Sequence, residues 1–201
     1  MINVCANCGE YSVDKAVIVE ENVAICPICQ HRNSFAFHPL LLVCGASGTG
    51  KSTVCQSMIR QFQDVVVLDG DIFWNDSVSV SAYFNLCLRV SKNIAQSGRP
   101  VLLFSAGAIP DNIESCYEAI YFSNIHYLAL VCDDEVLSKR LKERPSWRNS
   151  CNETFIQEQI GFNHWLKENA NTLPTLSLLD TTHITIDTSC DAVKSWVSER
   201  I

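Results

Sequence analysis

The chain of 201 residues lacks any apolar run approaching the roughly 18 residues that a membrane span requires. Its N-terminus has polar residues and two cysteines where a signal peptide would have an apolar core, so a soluble, cytoplasmic protein is expected. Positive charge is scarce. Fifteen Lys and Arg against 22 Asp and Glu leave a formal net charge of −7, the wrong sign for non-specific adhesion to DNA or RNA. Internal repeats, low-complexity tracts and disordered linkers are also missing. At 47% hydrophobic residues, the length suffices for one α/β core plus a small accessory module, but not for two large domains.

Cysteine, by contrast, is plentiful, with eleven residues. Cys5 and Cys8 form "CANC", Cys26 and Cys29 form "CPIC", and the spacing C-x2-C-x17-C-x2-C lies within the range of four-thiolate zinc sites. Two redox dithiols or disulfides are the competing reading. The intervening "YSVDKAVIVEENVAI" alternates like a small hairpin, and about 35 residues bury too little surface to fold unaided. A structural zinc ribbon over residues 1–36 is therefore expected, with no open coordination position for catalysis. His31 and His38, just past the second knuckle, read as linker residues. The module holds two basic against four acidic side chains, so it is expected to serve structure or interaction, with nucleic acid the minority case. The other seven cysteines, Cys44, Cys55, Cys87, Cys116, Cys132, Cys151 and Cys190, mostly lie in apolar segments, where packing explains them.

The apolar run from Pro39 to Cys44 leads into "GASGTGKST". From Gly45 to Ser52 the spacing is G-x-x-x-x-G-K-S, in which backbone N–H groups wrap phosphates, Lys51 reaches the terminal ones and Ser52 offers its hydroxyl to magnesium. Gly45, Ser47, Gly48, Thr49, Gly50, Lys51, Ser52 and Thr53 are the expected nucleotide contacts. "KSTVCQSMIRQF" then patterns as a helix whose positive N-terminal end faces the phosphates, with Val54, Met58, Ile59 and Phe62 on one side.

Strand and helix patterns alternate from residue 39 onward. "DVVVLDGD", "PVLLFSAG", "IHYLALVC" and "HITIDT" read as further strands. The intervening "SAYFNLCLRVSKNIAQSG", "DNIESCYEAI", "DDEVLSKRLKER" and "ETFIQEQIGFNHWLKENA" read as helices, and "CDAVKSWVSERI" closes the chain as another. The pattern predicts an open, mainly parallel α/β sheet over residues 37–201.

Ligands of such a sheet gather at the carboxyl ends of its strands, where the second ends in "LDGD". Asp69 and Asp71, two apart in an extended chain, share a face. One is placed to hold magnesium through water and the other to accept an acceptor hydroxyl's proton. Five of the fifteen cations, Lys139, Arg140, Lys142, Arg144 and Arg148, lie between residues 139 and 148. They lead into the polar "RPSWRNSCNE", which suits a lid over residues 144–153, with Arg144 and Arg148 on the phosphates.

"GASGTGKST", "LDGD", "YLALVCDDEVLSKRLKERP" with its arginine-bearing lid, and "ITIDTS" together resemble the small P-loop kinases, among them nucleoside, nucleotide, shikimate, gluconate and adenylylsulfate kinases. The resemblance spans residues 39–201. It implies a five-stranded sheet of order 2-3-1-4-5, ATP as donor, and an acceptor bound over strand two and the helix after it. It further implies Arg140 against adenine, Arg144 and Arg148 as lid arginines, Asp69 holding magnesium through water, and Asp71 orienting or deprotonating the acceptor. The stretch Asp187 to Ser189 would border adenine. Two departures stand out: "IFWND" follows "LDGD" where adenylylsulfate kinases continue with an arginine, and the third strand ends in "SAGAIP" without the aspartate of ATPase-type Walker B strands. Phe73 and Trp74 are candidates to stack on a base or to fill the core. Trp147 adds aromatic surface to the lid, while Phe162 and Trp165 pattern as core.

The expected activity is ATP- and magnesium-dependent phosphoryl transfer to a small molecule, foremost a nucleoside or nucleotide. A sugar acid or alcohol kinase, a nucleic-acid-end kinase, and a nucleotide-dependent regulator with little turnover are the alternatives. Homo-oligomerisation is left open.

Overall fold

Five short apolar segments line up as parallel strands, the central ones buried on both faces, as continuous aliphatic runs are when helices cover both sides of a sheet, and the two edge strands only partly buried. The computed structural model describes residues 2–173 and 175–201. An N-terminal antiparallel sheet comprises β1 (Ala16–Ile18), β2 (Val23–Ile25) and β3 (Arg32–Ser34). The main sheet comprises β4 (Leu40–Gly45), β5 (Val66–Asp69), β6 (Val101–Phe104), β7 (Ile125–Val131) and β8 (Leu176–Asp180), in the order β5-β6-β4-β7-β8. Counted within this sheet, the order is the expected 2-3-1-4-5. Helices α1 (Lys51–Met58), α2 (Val80–Ala95), α3 (Pro110–Ile113), α4 (Asp134–Lys142), α5 (Glu153–Asn169) and α6 (Ile186–Ser198) complete the chain.

Central β4 is buried throughout, and its pleat divides the core. Leu40, Leu42 and Cys44 face α2 and α5 beside Tyr83, Phe84, Leu88 and Leu166. Leu41 and Val43 face α1 and α6 beside Val54, Met58, Val193 and Trp196. Each fully buried leucine contributes about 1.5–3 kcal/mol by leaving water, so β4 anchors both layers.

Three segments differ from the sequence expectation. "HITIDT" is not a strand: β8 lies earlier, at Leu176–Asp180, and Ile186 opens α6. Thr185 caps that helix by accepting a hydrogen bond at Oγ1 from the Thr188 N–H (3.1 Å), a local bond that overrides the alternation. "DNIESCYEAI" is not one helix but α3 followed by a 3-10 turn at Tyr117–Tyr121, which turns Glu118 inward. The N-terminal hairpin gains a third strand, β3, which pairs with β2.

The small sheet seats on the C-terminal half of α2 and on that 3-10 turn. Ile2, Ala24 and Phe35 pack on Tyr121, with the rings of Phe35 and Tyr121 5.5 Å apart. Ala36 exchanges two backbone hydrogen bonds with the Gln96 amide, of 2.8 and 3.1 Å. Glu118, fully buried, pairs with Lys92, with Arg89 at 3.0 Å, and accepts from Asn3 Nδ2 at 3.3 Å.

Candidate active site

Between β4 and α1 the chain loops through Gly45 to Gly50, and the loop is fastened from behind. Gly48 has φ 97°, and a Cβ there would meet Leu137 Cδ1 at 2.9 Å, so only glycine lets α4 pack this closely. Thr181 Oγ1 donates to Thr49 O (3.0 Å), and Gln159 Oε1 accepts from the Ser47 N–H (2.7 Å). Lys51, buried at the start of α1, donates to the carbonyls of Gly45 (2.6 Å) and Ala46 (2.9 Å). Burial pushes its pKa down to about 8, against the charges of Asp71, Cys44 and Asp69.

In front of the loop lies a cavity of about 440 Å³, lined by residues 47–54. Arg140, Arg144 and Arg148 stand along one side, with Thr181, Ile184 and Ile186 at its far end. Of the expected nucleotide contacts only Gly45 does not line it; that residue holds Lys51 from behind. The Arg140 guanidinium is anchored on Thr181, by 2.8 Å to its carbonyl and 3.2 Å to its hydroxyl. Burial, and then repulsion from Arg148, lowers the pKa of half-buried Arg144. Arg148 stacks 4.7 Å from the ring of Trp147, which is 72% exposed in the segment between α4 and α5. After β8 the cavity is bordered by Thr181, Ile184, Ile186 and Ser189, so the expected border at Asp187 to Ser189 is met only in part. That triplet lies in the first turn of α6 and contributes Ser189 alone.

Asp69 and Asp71 do lie beside the loop, but not on one extended strand. β5 stops at Asp69, whose Oδ1 accepts the Asp71 N–H (3.1 Å) and starts a 3-10 turn, Gly70–Phe73. Lys51, Ser52, Asp69 and Asp71 border a narrow recess together with Phe104 and Ser105. Loss of solvent around the Asp71 carboxyl, and then the charge of Asp69, raises its pKa, with Lys51 and Arg148 opposing. The Ser52 hydroxyl and the Asp69 carboxylate form the all-oxygen donor set that magnesium takes.

A second cavity, of about 480 Å³, opens on the other side of Ser47 and Asp71, which line both. Besides those two, the sequence drew attention only to Trp74 there. Tyr83 and Phe84 reach it from α2, and Ser105, Ala106, Gly107 and Asn112 from beyond β6. The Tyr83 hydroxyl pairs with Ser105 Oγ (2.9 Å) directly over Gly70, where a Cβ would lie 2.8 Å from Tyr83 Oη. Ser105 is the residue directly after β6, where the sequence offers no aspartate. Trp74 is 47% exposed, edge-on to Tyr83 at 5.3 Å, while Phe73 packs into the core, as do Phe162 and Trp165.

At the N-terminus the four thiols of Cys5, Cys8, Cys26 and Cys29 all lie within 4.8 Å of one another. Cys5 and Cys29 are 3.6 Å apart and Cys8 and Cys26 3.7 Å, close to the roughly 3.8 Å edge of a tetrahedron with 2.3 Å metal–sulfur bonds. Asn7 and Asn33 side-chain amides donate to Cys29 (3.5 Å) and Cys5 (3.8 Å), as outer-shell donors to thiolates do. A hydrogen bond from the Cys8 backbone pulls Cys5 down to about 6. The residues fit zinc, and neither His31 nor His38 belongs to the cluster.

No protein-family model matches the sequence, and neither does any curated protein. Among solved structures, the fold is similar to a sugar kinase from Janibacter sp. HTCC2649, with TM-score 0.61 and 14% identity over 81% of this chain and 95% of that one. It is also similar to a gluconokinase from Sinorhizobium meliloti 1021, with TM-score 0.57 and 15% identity over 82% and 93%. At these identities the likeness is one of fold.

Proposed function

We propose that this chain is an ATP- and magnesium-dependent kinase that transfers the γ-phosphoryl group to a small hydroxyl-bearing molecule, foremost a nucleoside or nucleotide. The observation that carries the reading is the meeting of two cavities at Ser47 and Asp71, one walled by a phosphate loop and three arginines, the other by aromatic rings. The kinase unit would span residues 37–201, with a lid over 144–153 and a zinc ribbon at 1–36.

Backbone amides of the loop and Lys51 cradle the β- and γ-phosphates, and Arg144 and Arg148 counter charge on the transferring group. Arg140, held rigid by Thr181, faces Ile184 and Ile186 across the space for adenine. Ser52 and Asp69 would hold magnesium, which supplies charge neutralisation of the phosphate oxygens. Asp71 takes the acceptor hydroxyl's proton as the new O–P bond forms and the bond to the ADP oxygen breaks. Its raised pKa makes it a better proton acceptor than an ordinary aspartate. Cys5, Cys8, Cys26 and Cys29 would hold a structural zinc.

A sugar or sugar-acid acceptor is the second reading, favoured by the names of the two structural neighbours. ADP release with ATP and magnesium, tested against nucleosides, nucleoside monophosphates, sugars and sugar acids, decides the matter. Acceptor-dependent turnover that falls about 10²–10⁴-fold in Asp71→Asn is expected. Tight ATP binding without stimulation by any acceptor would instead favour a regulatory protein.

A further inference from the structure

We infer that the acceptor carries no anionic group: it is an uncharged, hydroxyl-bearing molecule with a flat ring, of the nucleoside type. This rests on the kinase reading above and narrows it, setting aside nucleotides and sugar acids.

The argument starts from where the cations are. Lys51, Arg140, Arg144 and Arg148 all line the phosphate-loop cavity, and none lines the second one. The two cations on the buried face of α2, Arg89 and Lys92, are paired with Glu118, near the seat of the small sheet. The one charged side chain lining the second cavity is Asp71, and Asp69 stands behind it. A carboxylate or phosphate on the acceptor would find no cation on the wall of this cavity: the nearest, Lys51 and Arg148, face Asp71 from the donor side, and the two carboxylates stand closer, a like-charge juxtaposition that opposes binding.

What the cavity does offer is suited to a neutral ligand. Ser47, Ser105 and Asn112 supply hydroxyl and amide groups, and Val80, Phe84 and Ala106 supply apolar surface. Trp74 leaves nearly half its surface uncovered beside Tyr83, a ring wall that a planar heterocycle would cover by stacking. The volume of about 480 Å³ is within the range of small-molecule sites. A hydroxyl on the same ligand would then reach Asp71 at the junction with the donor cavity.

The test compares nucleosides with their 5′-monophosphates and with gluconate, by kcat/KM and, separately, by direct calorimetric binding in the presence of a non-hydrolysable ATP analogue. Nucleosides are expected to exceed both anionic classes by about a hundredfold or more. Val80→Arg, at an exposed position at the start of α2, introduces the missing cation and should narrow the gap to the monophosphate at least about tenfold. Equal or better use of a monophosphate or of gluconate by the unaltered protein overturns the inference while leaving the kinase reading intact. Binding of nucleosides without turnover overturns the kinase reading and leaves the cavity's preference standing. If none of these compounds binds or reacts, both fall.

Discussion

The small sheet and the main sheet use the same residue in opposite ways. In the first, four cysteines converge on one point. In the second, six of the remaining seven are buried, and only Cys151 is exposed. Burial pushes Cys44 and Cys55 up to about 12 and Cys87 to about 11; in the cluster the thiols act on one another instead, with the Cys8 backbone bringing Cys5 down to about 6 while the Cys29 thiol, against a lowering bond from the Glu10 backbone, pushes Cys8 up to about 12. Where aliphatic side chains fill both faces of a sheet, cysteine is one more small apolar residue. Where the buried apolar residues are few, as with Ile2, Ala24 and Phe35, the sulfurs converge in an arrangement that could hold a metal ion.

The sharpest way to break this contrast is to strip the metal with a chelator or to change Cys26→Ser. Structural zinc sites are worth about 10–16 kcal/mol, so amides of β1 to β3 should lose their hydrogen-exchange protection while those of β4 and β6 keep theirs. Equal loss in both would show one cooperative unit. Next in size is Glu118→Ala at the junction, which strands the fully buried Lys92 and should cost about 3–5 kcal/mol in denaturant unfolding. Lys92→Met in the same chain should restore much of it; no recovery would mean that the buried charge is not the cause. A smaller effect is the titration of Lys51. Lys51 is cationic below about 8 and neutral above it, so ATP affinity should weaken as pH rises from 7 to 9.5, by up to about tenfold per unit. Lys51→Met should remove that dependence, and a pH profile unchanged by the substitution would assign it elsewhere. The mildest test counts thiols at pH 8: Cys151 alone reacts in the metal-loaded protein, four more after chelation, and the rest after unfolding.

Much of this architecture could be read directly from local spacing. Two C-x2-C pairs, G-x-x-x-x-G-K-S and the aliphatic runs of β4 and β7 are short-range patterns whose meaning is largely local, and strand order followed through the resemblance. What escaped was decided at longer range. Thr185 capping a helix outweighed the alternation of "HITIDT", and the inward pull of Lys92 and Arg89 on Glu118 interrupted a helical pattern. The spacing of Asp69 and Asp71 was visible, and the composition of D-G-D alone permits a turn; what the sequence did not decide is that Asp69, by accepting from the Asp71 backbone, closes one there in place of extended strand. The second cavity draws its walls from α2, the turn after β5 and the segment after β6. No window of sequence contains it, although Ser105 in place of an aspartate was a trace of it.

Helix α2 carries Val80, Tyr83 and Phe84 at one end and Lys92 and Gln96 at the other. Sixteen helical residues form a stiff rod about 24 Å long, so its ends cannot shift independently. One continuous helix thus runs from the seat of the small sheet to the wall of the aromatic cavity, so the two ends of the molecule share a single structural member.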